Sequence, residues 1–252
     1  MNIAPHEPGG SARVGVTRYR MREKTDCGER AGRDRRLRLM SQLELNRLFR
    51  EIRACRICEA HLPLGPRPIV RGRVGARLLI ISQAPGTRVH ETGLTFNDRS
   101  GDLLRQWLNI DRETFYDENR IAIMPMGMCY PGRNQRGGDL PPRPECALRW
   151  HGRARALLPG AGLTLLVGSY AIHHYLGGQK AAGMTGTIRD WRKFLPDFFP
   201  LPHPSWRNIA WLRRNPWFED ETLPELRAIV QSTLAQSGAD AATNTRPLRS
   251  DR

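Results

Sequence analysis

The chain is predicted to be an α/β protein, a three-layer α/β/α fold with a central, mainly parallel four-stranded sheet. Two observations predict this. Four short apolar runs, Leu78–Ser82, Ile121–Met126, Leu163–Val167 and Phe198–Leu201, are almost continuously hydrophobic rather than alternating, the pattern of strands buried on both faces. Segments with helical patterning lie between them, and strands alternating with helices build a parallel sheet covered on both sides.

In chain order, residues 1–39 are polar, Gly-rich and Arg-rich with no sustained apolar period, so they read as a disordered basic arm. Such an arm adds non-specific affinity for a polyanion. The alternative is a start codon placed too early, with Met40 as the true start. The folded domain is expected over residues 40–236. Its first helix carries Leu43, Leu45, Leu48, Phe49 and Ile52 at helical spacing and runs into Cys55. Further helices are expected at Ser100–Leu108, Glu145–Leu158, Tyr170–Leu176, Ile188–Phe194 and Leu223–Leu234. Residues 237–252 are small, polar and charged, and read as a disordered tail.

The composition narrows the function. At 252 residues the chain is long enough for one substantial core. Its 40 Lys and Arg against 25 Asp and Glu give a formal net charge of +15, which predicts attraction to a polyanion. A merely basic surface is the bland alternative. No stretch approaches the roughly 18 apolar residues of a membrane span, and the opening MNIAPHEPGG lacks the apolar core of a signal peptide. A cytoplasmic protein is expected, and five cysteines there point to metal or redox chemistry rather than disulfides.

In a parallel sheet, ligands bind beyond the carboxyl ends of the strands. That rule selects Gln83–Gly86, Pro125–Met128, Gly168–Tyr170 and His203–Asn208 as the walls of one cleft. The cysteines form a second set. Cys55 and Cys58 stand as C-x-x-C at the end of the first helix, and Cys129 and Cys146 close the two ends of the loop CYPGRNQRGGDLPPRPEC. Four thiolates can enclose a [4Fe–4S] cluster or a tetrahedral zinc, and the spacing leaves open that they bind nothing. Cys27 lies in the arm, apart from this set.

The order Cys55-x-x-Cys58, a strand ending in Ala84-Pro85-Gly86, then Cys129 and Cys146 resembles the iron–sulfur uracil-DNA glycosylases, families four and five of their superfamily. The resemblance runs from about Leu45 to Phe218. It implies a structural [4Fe–4S] cluster on the four cysteines, with zinc as the alternative, tying the first helix to a loop near DNA. Ile81–Phe96, ISQAPGTRVHETGLTF, looks like motif A of that superfamily. By this likeness Ala84, Pro85 and Gly86 form a turn against the base, and Phe96 stacks on the flipped base. The alternative for Phe96 is a core residue.

The chain departs from the pattern twice. Gln83 stands where the iron–sulfur family has an acid, and Ala84 where other branches carry Asp or Asn. An amide cannot remove a proton from water, so Gln83 is expected to hold water or base. Glu91, beside His90, is the nearest group able to act as a base. Pro125 replaces the Asn that reads uracil, so backbone groups near Met126 and Gly127 are expected to read the base, and bases other than plain uracil become candidates.

PLPHPSWRN, Pro200 to Asn208, looks like motif B, and its HPSxRN form is similar to the single-strand-selective monofunctional uracil glycosylases. The likeness implies that His203 donates to the carbonyl of the departing base. It also places Ser205, Trp206, Arg207 and Asn208 against DNA, with Ser205 on a phosphate and Trp206 or Arg207 as the wedge that fills the gap. Packing of the final helices is the alternative for Trp206 and Trp211. The expectation is a monomeric base-excision repair glycosylase acting on a damaged base flipped from single- or double-stranded DNA. The alternatives are a lesion-binding protein without turnover, and a redox or metal protein on the same fold.

Overall fold

A computed structural model describes residues 36–135, 137–158, 160–177 and 183–235. The chain divides into two compact units, Met1–Met40 and Ser41–Arg252. Most of the expected arm and the whole expected tail lie outside the described residues. Residues 36–40 are helical, so helical structure begins earlier than the Leu43 start expected from the apolar pattern. In the second unit, α1 covers residues 41–53 and buries Leu45, Leu48, Phe49 and Ile52, whereas Leu43 is 54 % exposed and belongs to the solvent face.

All four apolar runs become strands: β1 Leu78–Ile81, β2 Ile121–Ile123, β3 Leu163–Val167 and β4 Phe198–Leu201. Every pairing is parallel and the order is β2-β1-β3-β4. The strands are short, three to five residues, and nearly every strand residue is buried. Each fully buried Leu or Ile contributes about 1.5–3 kcal/mol. Pro200 is tolerated because β4 is an edge strand. The β2 run was expected to continue to Met126. Backbone pairing does persist, with Met124 N–H on Ile80 O, Met126 N–H on Ser82 O and Gly127 N–H on Gln83 O. Pro125 has no N–H to contribute, which ends the regular strand early.

Helices α2 (Thr87–Thr92), α3 (Arg99–Leu108) and α4 (Arg112–Tyr116) connect β1 to β2. Asp98 and Asp111 cap α3 and α4, accepting from Gly101 N at 2.9 Å and Thr114 N at 2.6 Å. The expected helix Glu145–Leu158 is instead composite: α5 (Pro144–Cys146), a π turn (Ala147–His151) and α6 (Gly152–Ala156). Helix α7 (Ser169–Leu176) packs on β3 and α8 (Gly183–Arg189) on β4. The single helix expected over Ile188–Phe194 is broken at Asp190 into the end of α8 and a 3-10 turn, Trp191–Phe194. The break lets Trp191 stack on Phe199, ring centroids 4.5 Å apart. After α9 (Ile209–Arg214), α10 (Leu223–Ala235) returns to pack on α3 and β1. Trp107 and Phe218 meet edge to face at 5.1 Å in this layer. Among the described residues no helix is long and apolar enough to cross a membrane.

Candidate active site

The chain leaves β1 toward β2 on one side, then crosses to β3 on the other. Connections that diverge in this way open a crevice at the strand ends. A cleft of about 500 Å³ lies there. It is lined by Gln83, Ala84, Pro85 and Gly86 after β1, Pro125 after β2, Gly168 and Ser169 after β3, and His203, Ser205, Trp206, Arg207 and Asn208 after β4. Four segments far apart in sequence thus share one wall. The tight turn expected at Pro85–Gly86 is absent. Gly86 is extended (φ −81°, ψ 178°) and leads straight into α2.

Phe96 also lines the cleft. Its backbone is left-handed, φ 54°, a conformation that costs a non-glycine residue about 1–2 kcal/mol. The strain is held by its surroundings. Phe115 meets the ring edge to face at 5.9 Å, and Gly101 lies so close that a Cβ there would stand 1.8 Å from the Phe96 carbonyl oxygen. Beside it the Thr95 hydroxyl is buried with no hydrogen-bond partner among the described residues.

His203 sits beyond β4. Its carbonyl accepts from Ser205 N at 2.8 Å and from Asn208 Nδ2 at 2.6 Å. Asn208 thereby clamps the His203 backbone while lining the cleft. Gly168, at φ 91°, lies under the imidazole, and a Cβ there would fall 3.3 Å from the His203 Cβ. Burial pushes the His203 imidazole below the usual histidine range, against the pull of Asp98 and Asp139. The ring is therefore neutral at neutral pH, one nitrogen donating and the other accepting.

Those two carboxylates were missed by the sequence reading. Asp98 and Asp139 both line the cleft. Asp98 carries the helix-cap signature of an acid just before α3, whereas nothing in a long loop singled out Asp139, which pairs with Arg133 at 3.8 Å. Glu91 is exposed and does not line the cleft. Its carbonyl and that of His90 accept from Arg67, and α2 ends at Gly93 in the left-handed conformation. Met126 and Gly127 also stand outside the cleft, their N–H groups already committed to the Ser82 and Gln83 carbonyls just beyond β1. Trp206 is 75 % exposed at the rim. Arg207 spans to the Gly137 carbonyl at 3.0 Å. Trp211 instead packs with Trp217 and Phe218.

Cys55, Cys58, Cys129 and Cys146 line a second, small cavity together with Gly127, Arg143 and Trp150. All four are free thiols. Burial pushes Cys129 up to about 12 and Cys146 up to about 11, and the neighbouring cysteines add to both. Nearby donors offset part of the burial effect: the Arg67 backbone for Cys129, the Met128 backbone for Cys146 and the Arg143 side chain for Cys58. This donor set suits thiolates whose charge is neutralised by a metal centre. Among the described residues no three His, Cys, Asp or Glu side chains are grouped as the ligands of one metal ion.

The family model of the uracil DNA glycosylase superfamily matches residues 70–227. That span holds all four strands, the whole cleft lining, and Cys129 and Cys146.

Proposed function

The chain belongs to the uracil DNA glycosylase superfamily, and from that premise we propose that it hydrolyses the N-glycosidic bond of uracil or a related deaminated or damaged base flipped out of DNA. The observation that carries the reading is a neutral, clamped His203 sharing one cleft with Phe96 and Asp98. Flipping costs a few kcal/mol. Stacking on an aromatic face recovers about 1–3 kcal/mol of it, and Phe96 offers that face. The net charge of +15 draws in the phosphate backbone.

In the reaction the C1′–N bond breaks and its electron pair leaves with the base. His203 donates its N–H to the base carbonyl, where that charge collects. Asp98 takes a proton from the water that adds hydroxide to C1′, replacing Glu91 in that role. Gln83 positions water or base through its amide. The proton lost from water balances the one gained by the departing base.

The four cysteines border one cavity, and their all-sulfur donor set fits a [4Fe–4S] cluster, with a tetrahedral zinc as the alternative. A cluster accepts one thiolate at each iron, while zinc draws four sulfurs to about 2.3 Å from one centre. Bound there, it would supply a structural tie. Cys55 and Cys58 follow α1, Cys129 follows the Pro125 loop, and Cys146 ends α5. Purified protein is expected to carry about four irons per chain. Replacing Cys129 by Ser should remove most of that iron and lower the melting temperature. Zinc in place of iron, by elemental analysis, would reverse the assignment.

Oligonucleotides bearing uracil, hypoxanthine, xanthine or hydroxymethyluracil, single- and double-stranded, test the activity. Alkali-labile abasic sites are expected from at least one. Lesion-dependent binding without any abasic product would instead support a non-catalytic lesion-binding protein.

A further inference from the structure

We propose that His151 is a positioning residue, fixing the Pro125 wall of the cleft from behind and joining it to the cysteine-bearing helical segment. The inference rests on the reading of the cleft as a base pocket. His151 closes the π turn that follows Cys146. Hydrogen bonding from i to i+5 widens that turn, so residues four and five apart share a face. Cys146, Trp150 and His151 all point inward as a result.

The His151 ring is 2 % exposed and both nitrogens are engaged. Nε2 lies 3.1 Å from the Pro125 carbonyl oxygen, and Nδ1 lies 2.7 Å from the Tyr175 hydroxyl. A carbonyl can only accept, so the proton resides on Nε2, and Nδ1 accepts from Tyr175. His174 packs edge to face against the ring at 5.9 Å. Burial pushes His151 down to about 4 and Tyr175 up to about 12. Both groups therefore keep their protons as drawn across neutral pH, and the chain Tyr175 to His151 to Pro125 is uncharged and directional.

Pro125 needs such a hold. It has no N–H for the sheet, while its neighbours Met126 and Gly127 give theirs to Ser82 and Gln83. The segment from Pro125 to Cys129 starts at the cleft and ends at the thiol cavity. His151 descends from Cys146 in that same cavity and returns to Pro125. The base pocket and the thiol site are thereby two ends of one closed ring of contacts.

The test compares binding of oligonucleotides carrying each of the four panel bases on a 2′-fluorinated sugar, which resists hydrolysis, with the undamaged strand. His151→Leu is expected to lose about tenfold of the preference for the damaged strand, the weight of one positioning hydrogen bond. Its affinity for the undamaged strand should stay unchanged. His151→Gln, which restores a donor to Pro125, should recover most of the preference. Tyr175→Phe, a milder change that preserves packing, should lose part of it, and this variant decides the matter if His151→Leu does not fold. Nitrogen NMR at pH 7 should find the His151 proton on Nε2. An intact preference in folded His151→Leu or Tyr175→Phe, or a proton on Nδ1, overturns the role given to His151 alone. A wild type with no preference for any of the four bases overturns the base-pocket reading, and this inference falls with it.

Discussion

Replacing His203 by Ala should reduce base release by about 10²–10³-fold, the usual loss when one donor to a developing oxyanion is removed. DNA affinity should change little, because the imidazole is inside the cleft and the rim charges stay in place. The size of the effect follows from preorganisation. Asn208 and Ser205 clamp the His203 carbonyl, and Gly168 leaves the imidazole the space it occupies. The donor thus reaches the transition state without rearranging. The pH dependence has a definite sign. Burial favours the neutral ring, so the wild-type profile should be flat through pH 7 and change only on acidification below the ordinary histidine value of about 6.5. His203→Ala should remove the His203 contribution to that limb and leave the one set by protonation of the Asp98 base. Single-turnover kinetics on the base that the panel identifies would measure both. A variant as fast as wild type would remove His203 from the chemistry.

The sheet was legible because burial on both faces leaves a one-dimensional trace: four uninterrupted apolar runs. The cleft was legible for a topological reason, since parallel strands deliver all their carboxyl ends to one side, and Gln83, Pro125, Gly168 and His203 do meet there. What stayed hidden depended on side-chain direction or on competition for backbone groups. Glu91 is five residues from Phe96, yet α2 turns it to solvent. Met126 and Gly127 offered N–H groups in sequence, but the carbonyls of Ser82 and Gln83, just beyond β1, had already taken them. Asn208 spends its amide within its own motif. The π turn that brings His151 under Pro125 has no periodicity that distinguishes it from a continuous helix, because inserting one residue shifts the inward face only once.

Asp98→Asn should lower base release by about 10²–10⁴-fold, the range for loss of a general base, while leaving the fold intact. The substitution separates chemistry from structure unusually well. Asp98 has two tasks: one oxygen caps α3 through Gly101 N, and the residue faces the cleft. Asn caps a helix about as well as Asp, so the melting temperature should move by little. An amide, however, cannot take a proton from water. Glu91→Gln serves as the matched control. It removes a carboxylate only a few residues away, on the exposed side of α2, and should leave the rate unchanged. Equal losses in the two variants would point to a general effect of the added positive charge on DNA binding, which higher salt would relieve. Unaltered release in Asp98→Asn would shift proton removal to Asp139, the other cleft carboxylate. Loss confined to Asp98→Asn, at unchanged stability and DNA affinity, would mean that the acid absent from Gln83 is supplied from the start of α3, two residues beyond Phe96 in the chain.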